Sequence, residues 1–436
     1  MIGLLRHAVF GRLFAAQALA LTGTGLLTVA LGLLACDLAG PAAAAVLGTA
    51  YAIKMLAYVA LSPIAAALLA NLPRKPVLIG ADLIRAAVAL ALPFITEVWQ
   101  IYLAILALQT ASATFTPAFQ ALIPDVLPDE EDYTRALSLS RLAYDLENLI
   151  SPALAGLLLL VVSYHWLFGG TVLGFLGSAL LIGTTALPRR GTNTPRPFRE
   201  RLMRGLRIYL ATPRLRGLLA LTLTAAAAGA FVIVNTVVVV RDSYGGNDRD
   251  VALALACFGG GSMLAALLLP NLLDRTGDRQ AMIGGAVLLT GLMALQAFVA
   301  PDWAGFLLLW ALTGLGYGVT LTPQGRLLRR SAHVADRPAV FTAQFALSHS
   351  CWLLTYPLAG GLMTAFGAAP TFAVLTLLGG IGVALALRFW PDGDPVIVPH
   401  SHPDLPADHP HLGGTGRRHA HALVIDDEHH AWPTHG

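Results

Sequence analysis

The chain has 436 residues, of which 56% are hydrophobic and only 12% are charged. Soluble domains carry about 25% charged residues, so the composition excludes a soluble globular protein and predicts a polytopic membrane protein. The formal net charge is only +3, and its lysines and arginines are dispersed over loops without interleaved aromatic residues, which argues against nucleic acid as a partner. The partner that the composition predicts is the membrane lipid bilayer.

Apolar runs of membrane-spanning length follow one another along the chain, each of about 20 residues or more. The first six are predicted near residues 10–36, 43–70, 77–96, 99–122, 138–162 and 166–187. Six more are predicted near residues 217–240, 250–272, 281–300, 303–325, 339–364 and 370–390. The predicted fold class is therefore an all-α membrane protein with twelve transmembrane helices in two six-helix bundles.

Composition also divides the chain into four parts. The N-terminal bundle is predicted over residues 1–188 and the C-terminal bundle over 217–391, with a basic cytoplasmic connector over 189–216 between them. After Pro391 the sequence is rich in Pro, His, Asp and Gly, and such a segment has too few apolar residues to form a packed core. Residues 392–436 are therefore predicted to be a disordered, His-rich cytoplasmic tail.

The distribution of basic residues predicts the orientation in the membrane. If both termini are cytoplasmic, the outer loops hold only Arg241 and Arg249, and most other arginines fall in inner loops or at inner helix ends. Loops rich in Lys and Arg stay on the cytoplasmic side. The predicted location is the inner (plasma) membrane, crossed many times, with both termini in the cytoplasm.

Span five carries charged and amide side chains within an apolar helix. Arg141, Asp145 and Asn148 share one face at 100° per residue, and Glu147 lies at its edge. An ionised side chain at the bilayer centre costs at least about 2.5–3.5 kcal/mol, so such a residue faces protein or a water-filled cavity. Asp145, Glu147 and Asn148 are therefore the predicted transport site. The alternative is that Arg141 and Asp145, four residues apart, simply pair near the helix end.

Span eleven adds one further candidate for the transport site. His349 could be a transient metal ligand or a proton carrier near neutral pH. A histidine that donates one hydrogen bond between helices is an equally good interpretation. His349 and Cys351 point about 160° apart on a helix, so they are not expected to bind one ion together.

The two halves of the chain repeat. Thr116-Pro117 in span four corresponds to Thr322-Pro323 in span ten, and Pro152 in span five corresponds to Pro357 in span eleven. Parallel six-helix repeats with a binding site between them are a known transporter plan. The repeat therefore predicts a transporter whose site lies between the bundles.

The loop after span eight reads Asp274-Arg275-x-Gly277-x-Arg279. At this place in a repeated twelve-span chain, the string resembles the loop motif of the major facilitator superfamily, in which an Asp and basic residues hold neighbouring helix ends together. In the matching loop of the first half, only Arg74 and Lys75 remain of the motif. The resemblance implies that these residues act as a gating latch.

Four stretches resemble, more narrowly, the nickel-resistance exporters of the NreB type. They are RLFAAQALALTGTG at 12–25, LPRKPVLIGADLIRA at 72–86, RLAYDLENLISP at 141–152 and CWLLTYPLAGG at 351–361. The His-rich tail adds to this resemblance. It implies export of a divalent metal cation, nickel first, coupled to protons.

Most of the 13 histidines lie in the tail. The predicted metal ligands there are His400, His402, His409, His411, His419, His421, His429, His430 and His435. Imidazole at this density suits nickel, zinc, cobalt and copper(II), while a tail without Cys or Met argues against copper(I). A flexible tail imposes no single geometry, so the choice among these divalent ions stays open.

No Walker loop, GxSxG or HExxH motif is present, so the sequence gives no support for an enzyme. Without a nucleotide site, the energy for transport would come from an ion gradient, most simply protons. We expect a secondary exporter of a divalent transition-metal cation, nickel or possibly cobalt, that works from the cytoplasm by alternating access. No cofactor is expected beyond the transported or tail-bound metal (nickel, cobalt or zinc). The alternative is an exporter of a drug or siderophore-like organic solute, with the His-rich tail as a metal-sensing regulatory module.

Overall fold

The computed structural model describes residues 2–39, 43–188, 197–394, 397–401, 410–412 and 418–433. Within these ranges, the side chains of residues 2, 43–45, 145–153, 156, 157, 248 and 410 lie outside the description. Helices make up most of the described chain.

The first half begins with a short 3-10 turn, Ile2–Arg6, followed by long helices. In chain order these are α1 (Ala8–Ala39), α2 (Ala43–Leu56), α3 (Ser62–Leu69), α4 (Arg74–Ala91), α5 (Val98–Val126), α6 (Glu130–Leu158) and α7 (His165–Thr184). A π-helical turn, Ala57–Leu61, joins α2 to α3, so the two helices form one predicted span. Helix α5 begins with a capping box, in which the side chains of Glu97 and Gln100 each bind a backbone N–H of the first turn.

The second half repeats this plan after a connector helix. Its helices are α8 (Phe198–Ala211), α9 (Pro213–Tyr244), α10 (Asp248–Phe298), α11 (Trp303–Leu321), α12 (Gln324–Arg330), α13 (Arg337–Phe366) and α14 (Ala368–Phe389). The long α10 turns at Gly277, where φ is +76° and ψ is 167°. A positive φ favours glycine, so this residue separates the two predicted spans that α10 contains.

Nine helices in the described part of the chain are long and apolar enough to cross a membrane. One of them, Arg249–Phe298, contains two predicted spans. Helices α6 and α13 overlap predicted spans five and eleven and carry more polar side chains. The predicted all-α membrane fold is confirmed, and the helices are consistent with twelve crossings.

Small residues allow close helix packing at equivalent places in the two halves. In the first half, Thr171 Oγ1 on α7 donates to the Gly23 carbonyl on α1 at 2.9 Å. In the second half, Thr224 Oγ1 on α9 donates to the Gly379 carbonyl on α14 at 2.9 Å. Such small-residue and hydroxyl contacts are the usual means of holding helices together in lipid, where the hydrophobic effect does not act between helices.

The histidine module is the name used below for residues 397–401, 410–412 and 418–433. Strands β1 (Ile397–Ser401) and β2 (Arg418–Ala422) pair antiparallel, with His400 opposite His419 and Val398 opposite His421. The side chains of Val398, Leu412, Leu423 and Ile425 are buried.

The order of these described residues differs from the prediction, which made them part of a disordered tail over 392–436. The tail has too few apolar residues for a core of its own, but it does not need one. Ile425 packs into the core cluster of the second half with Tyr209, Leu215 and Trp390, and Trp432 packs against the same cluster. A core supplied by the helices therefore orders a segment whose composition alone predicts disorder.

Candidate functional site

Two adjoining cavities lie inside the helical bundle. One, of about 340 Å³, lies within the first half and is lined by residues of α1, α2, α4, α5 and α6. The other, of about 240 Å³, lies between the halves and adds residues of α9, α11, α12 and α13. Gln17, Phe119 and Tyr144 line both cavities. The two cavities therefore adjoin, and together they occupy the region in which the sequence predicts a transport site.

Polar lining groups of the first cavity are amides, hydroxyls and cations. Tyr58 donates from its hydroxyl to Gln109 Oε1 at 2.8 Å, and Lys54 Nζ lies 5.7 Å from the centre of the Tyr58 ring. Arg85 lines the same cavity and is paired with the buried Asp82. The described lining of both cavities contains no carboxylate.

Arg141 connects the two halves at the second cavity. It lies on α6, and its Nε donates to Ser262 Oγ on α10 at 2.9 Å. Its guanidinium also lies 4.8 Å from the centre of the Tyr317 ring on α11. A cation held between an aromatic face and a hydroxyl is a polar link across an otherwise apolar interface.

The predicted transport residues on α6 follow Arg141 in the chain. Asp145, Glu147 and Asn148 lie within the helix Glu130–Leu158, but their side chains lie outside the described residues. Their part in a transport site therefore stays a prediction.

His349, the fourth predicted transport residue, lies outside the described lining of both cavities. Its Nδ1 is 2.7 Å from the Phe345 carbonyl of its own helix, and its ring meets the Tyr58 ring edge-on with centroids 4.6 Å apart. The described hydrogen bond of His349 thus lies within α13, and only its ring contact joins α13 to the first half, so both interpretations of this residue stay predictions.

The connector end of the bundle is the end at which α1 begins, α14 ends and α8 lies. Here Asp125, at the end of α5, is paired with Arg74 of the first half and with Arg337 of the second half, whose NH1 lies 2.6 Å from Asp125 Oδ1. Arg326 of α12 reaches Glu130 of the first half at 2.5 Å. We call these contacts across the halves the connector-end latch.

The loop motif contributes to this latch through a residue that the resemblance did not single out. Asp278 is buried and lies 2.8 Å from Arg326, whereas Asp274 and Arg275 are exposed. Arg279 Nε donates to the Trp390 carbonyl at 2.9 Å and its NH1 lies 2.5 Å from Asp392. The turn at Gly277 directs the residues that follow it, rather than those before it, toward the neighbouring helix ends.

In the first half, the adjacent residues Lys75 and Arg74 contact different partners. Lys75 Nζ donates to the Thr185 carbonyl at 3.0 Å, which ties α4 to the end of α7. Arg74 reaches Asp125 and so belongs to the latch. Asp125, Asp278 and Arg337 were missed from the sequence, although Asp125 and Asp278 each lie where an apolar span gives way to a loop.

Imidazole rings converge in the histidine module. His400, His411, His419 and His421 each offer a nitrogen, and these four atoms lie within 4.8 Å of one another. His411 Nε2 lies 3.1 Å from His419 Nε2 and 3.3 Å from His421 Nε2. His429 Nε2 lies 3.0 Å from His400 Nε2. Adjacent imidazole nitrogens that bind one ion at about 2.0–2.1 Å are themselves separated by roughly 2.9–3.4 Å, and these three nitrogen pairs have that spacing.

Hydrogen bonds to the other ring nitrogens determine which atoms face the centre of this cluster. The Nδ1 atoms of His400 and His421 contact the carbonyls of Val398 and Ala422, at 2.8 and 3.0 Å. His411 Nδ1 lies 2.6 Å from Glu428 Oε2. A carbonyl or carboxylate oxygen can only accept, so Nδ1 carries the proton and the lone pair of a neutral ring is on Nε2, the atom that points inward.

The fifth ring, His429, follows the same rule. Its Nδ1 lies 2.9 Å from Asp426 Oδ1. Burial lowers the pKa of His400 and of His411, which favours the neutral ring that a metal requires. Burial alone would raise the pKa of Asp426, but hydrogen bonds from His333 and His429 hold that pKa well below its usual range. Asp426 is therefore a carboxylate that orients His429.

The other predicted tail ligands do not join this cluster in the described chain. His430 lies apart, with Nδ1 2.6 Å from Arg207 NH2 on α8. His402, His409 and His435 lie outside the described residues. Four of the nine histidines predicted as ligands thus converge, through the pairing of β1 with β2 and the turn at His411, and their role as metal ligands stays a prediction.

A model of the Major Facilitator Superfamily matches residues 13–245 and 217–416. The chain belongs to the Major Facilitator Superfamily. The predicted superfamily is thereby confirmed, and membership makes the protein a membrane transporter. Superfamily members are generally transporters without enzymatic activity.

Curated relatives include drug exporters. Macrolide efflux protein A of Streptococcus pyogenes is 24% identical over 322 residues, which cover 71% of this chain and 78% of that protein. Macrolide efflux protein A of Enterococcus faecalis is 24% identical over 263 residues, which cover 58% of this chain and 79% of that protein. Neither name refers to nickel, so the nickel-exporter subtype stays a prediction.

Solved structures share the fold at low identity. The human organic anion transporter MFSD10 has a TM-score of 0.74 and 14% identity, with 87% of this chain and 99% of that chain covered. A bacterial homologue of the iron transporter ferroportin, in an outward-facing state, has a TM-score of 0.71 and 15% identity, with 87% and 97% covered. The Escherichia coli fucose:proton symporter has a TM-score of 0.69 and 15% identity, with 88% and 99% covered. At these identities the likeness shows the fold alone.

Proposed function

We propose that this transporter is a secondary active exporter of a divalent transition-metal cation, with nickel the first candidate and cobalt the second. The observation that carries the proposal is the convergence of His400, His411, His419 and His421 at the connector end. The positive-inside pattern assigns this end to the cytoplasm. A set of imidazoles there is suited to capture an intermediate or borderline cation such as nickel, cobalt or zinc before export.

The proposed mechanism is alternating access coupled to protons. The two halves rock about the adjoining cavities, with the connector-end latch closed in one state and open in the other. Asp145, Glu147 and Asn148 of α6 bind the cation, and protonation of the carboxylates from outside releases it. His349 assists only if α13 turns its ring toward the cavity.

Vesicle transport tests this mechanism. Inverted membrane vesicles with an imposed pH gradient should accumulate nickel, and Asp145→Asn or Glu147→Gln should abolish accumulation while the protein stays inserted, because each change removes a charge from the site. Asp242→Asn, at an exposed position near the opposite end of α9, is the matched carboxylate control. Nickel accumulation that needs no pH gradient, or that both α6 variants retain in full, contradicts the mechanism.

A second candidate function is export of an organic solute such as a drug. Two observations favour it: the macrolide efflux relatives and a described cavity lining that holds Lys54, Arg85 and Arg141 but no carboxylate. Such a lining suits a neutral or anionic organic molecule. In this case the histidine module is a metal sensor on a transporter with another cargo.

Resistance profiling separates the two candidates. A sensitive host that expresses the protein is challenged with nickel, cobalt, zinc, copper and a macrolide. Resistance to the metals without a macrolide phenotype supports metal export. Resistance to the macrolide alone, with normal metal content in the cells, overturns it in favour of the organic solute.

A further inference from the structure

The segment His333–Arg337 is contacted by both the histidine module and the connector-end latch. On the module side, His333 Nε2 lies 3.2 Å from Asp426 Oδ2. On the latch side, Arg337 reaches Asp125 of the first half at 2.6 Å. The backbone N–H groups of Asp336 and Arg337 both donate to the His333 carbonyl, at 2.9 and 3.0 Å. A displacement of His333 therefore moves the residue that closes the latch.

We propose that a transition-metal ion bound by His400, His411, His419 and His421 of the histidine module locks the segment His333–Arg337 in place and so holds the connector-end latch closed. Such regulation of the latch by a bound metal is separate from the choice of cargo. The contacts between the module and the latch are the same whether the cavities transport a metal or an organic solute. The ligand class is a first-row divalent cation that accepts imidazole, such as nickel, cobalt, zinc or copper(II).

The first link runs through Asp426. Its Oδ1 accepts a hydrogen bond from His429 Nδ1 at 2.9 Å, while its Oδ2 contacts His333. One carboxylate thus joins His429, which lies beside the metal cluster, to the latch segment. A metal on His400 fixes the ring that His429 Nε2 meets at 3.0 Å, and the hydrogen bond on His429 Nδ1 passes that restriction to Asp426.

The second link runs through Asp427 and Arg204. Asp427 Oδ1 lies 2.6 Å from Arg204 NH1. The same guanidinium donates to both carboxylate oxygens of Asp336, from Nε at 2.6 Å and from NH2 at 2.8 Å. Arg204 is buried, and this paired geometry is among the strongest that an ion pair adopts. The turn that carries His429, the neighbour of the metal ligand His400, therefore positions Asp336 as well as His333.

Apolar contacts keep the module in place independently of the ion. Ile425 is buried in the core of the second half, and the Arg214 guanidinium lies 5.0 Å from the centre of the Trp432 ring. Loss of the ion should therefore loosen the turn at 426–429 and the latch segment without releasing the whole module. Such local coupling between two sites typically changes an equilibrium by about five- to 150-fold.

Thermodynamic linkage determines whether the bound metal favours the closed or the open latch. The assembled cluster and the closed latch occur together in this structure, so whatever stabilises one stabilises the other through the shared segment. A module that gives up its ion releases the segment and makes opening at the connector end easier.

Hydrogen exchange on the purified full-length protein, with and without nickel chloride, tests the lock. In the wild type, nickel should slow amide exchange at residues 333–340 by at least about fivefold. Calorimetry on the same samples reports nickel binding independently of any transport. Unchanged exchange at 333–340 in a protein that binds nickel overturns the lock, and so does the absence of binding.

Three variants separate binding from coupling. Glu428→Gln weakens the orientation of His411 and should lower nickel affinity about 10- to 100-fold, so that slowing needs correspondingly more metal. Asp427→Asn touches no ring of the cluster and should bind nickel normally but lose most of the slowing. Asp242→Asn should behave like the wild type. If Asp427→Asn keeps the full slowing, the coupling does not run through Arg204 and Asp336 and the proposal fails. A protein that passes vesicle transport but fails here retains the proposed function and loses only the lock.

Discussion

The cavities between the helices and the histidine module have opposite chemistry. The described cavity lining offers Lys54, Arg85 and Arg141 with amides and hydroxyls. The module offers four convergent imidazoles, with Glu428 on one of them, His411, and Asp426 on the adjacent His429. The convergent nitrogen ligands thus lie at the connector end, away from the cavities. In the proposed mechanism, metal transport through the cavities depends on the carboxylates of α6, whereas the proposed metal sensing does not.

The largest expected effect separates the two regions by removing the metal site. Orienting partners alone account for about 10–100-fold in metal affinity, so His411→Ala combined with His419→Ala should lower nickel affinity by more than about 100-fold. Export at saturating cargo should continue, because neither ring lines a described cavity. Calorimetry measures the affinity, and vesicle uptake of the cargo that the resistance profile identifies measures transport. Complete loss of transport in the inserted variant would make the module part of the pathway.

The converse change is in the cavity. Arg141→Gln removes the charge that is hydrogen-bonded to Ser262 and stacked on Tyr317. A hydrogen bond to a charged group is worth about 1.5–3 kcal/mol, which corresponds to roughly 10- to 100-fold slower transport if the link is needed in the cycle. Nickel affinity of the module should not change. Arg141→Lys, which keeps the charge, should recover part of the rate, and full activity of Arg141→Gln would show that this bridge is not used.

A third substitution loosens the contact between the histidine module and the helices without removing a histidine of the cluster. Ile425→Ser places a hydroxyl in the apolar cluster of the second half and should loosen the docked module. An unpaired buried polar group costs about 1–3 kcal/mol, so trypsin cleavage between 418 and 433 should accelerate about 5- to 100-fold. Val424→Ser, at the partly exposed neighbouring position, is the matched control and should change cleavage little. Equal protection of both variants would show that the helical core does not hold the module.

The smallest effect concerns the latch between the two regions. Asp278→Asn should ease opening at the connector end by less than about tenfold, because Arg326 keeps its contact with Glu130. Asp274→Asn, at the exposed position of the same loop, should have no effect. Maleimide labelling of a cysteine introduced at Gln120, which lines the cavity between the halves, measures the opening. Equal labelling of the two variants would remove Asp278 from the latch.

The sequence predicted what depends on local composition. Apolar runs predicted the helices. The Thr-Pro pair repeated in spans four and ten predicted two equivalent halves, and the two halves do pack their helices in equivalent ways. The resemblance named Asp274, Arg275, Gly277 and Arg279 of the DRTGDR loop, with Arg74 and Lys75, as the latch, but it did not single out Asp278. The choice of Asp278 depends on the backbone turn at Gly277, where φ is positive, and on the position of Arg326 far along the chain.

In the histidine module, even more of the structure depends on contacts between distant parts of the chain, which the sequence alone does not predict. Imidazole content is a property of composition, so the sequence alone could propose the tail as a metal-binding region, and that stays a prediction. The pairing of His400 with His419 across two strands, and the burial of Ile425 against helices α8 and α9, are long-range contacts that a composition of Pro, His and Asp does not indicate. The selection of ligands could therefore come only from the three-dimensional structure.

In the connector-end latch, the negative and positive charges come from different halves of the chain, and this distribution of charge has a consequence for biosynthesis. In the described contacts across the halves, the acids Asp125 and Glu130 come from the first half, and the arginines Arg337 and Arg326 come from the second. The first half is translated and inserted before its partner exists. Two nascent first halves that meet in the bilayer would leave Glu130 without Arg326, and Asp125 with only Arg74 of its own half, while the second half of the same chain brings both Arg326 and Arg337. The charge order thus favours closure of each chain on itself over exchange of halves between neighbouring chains.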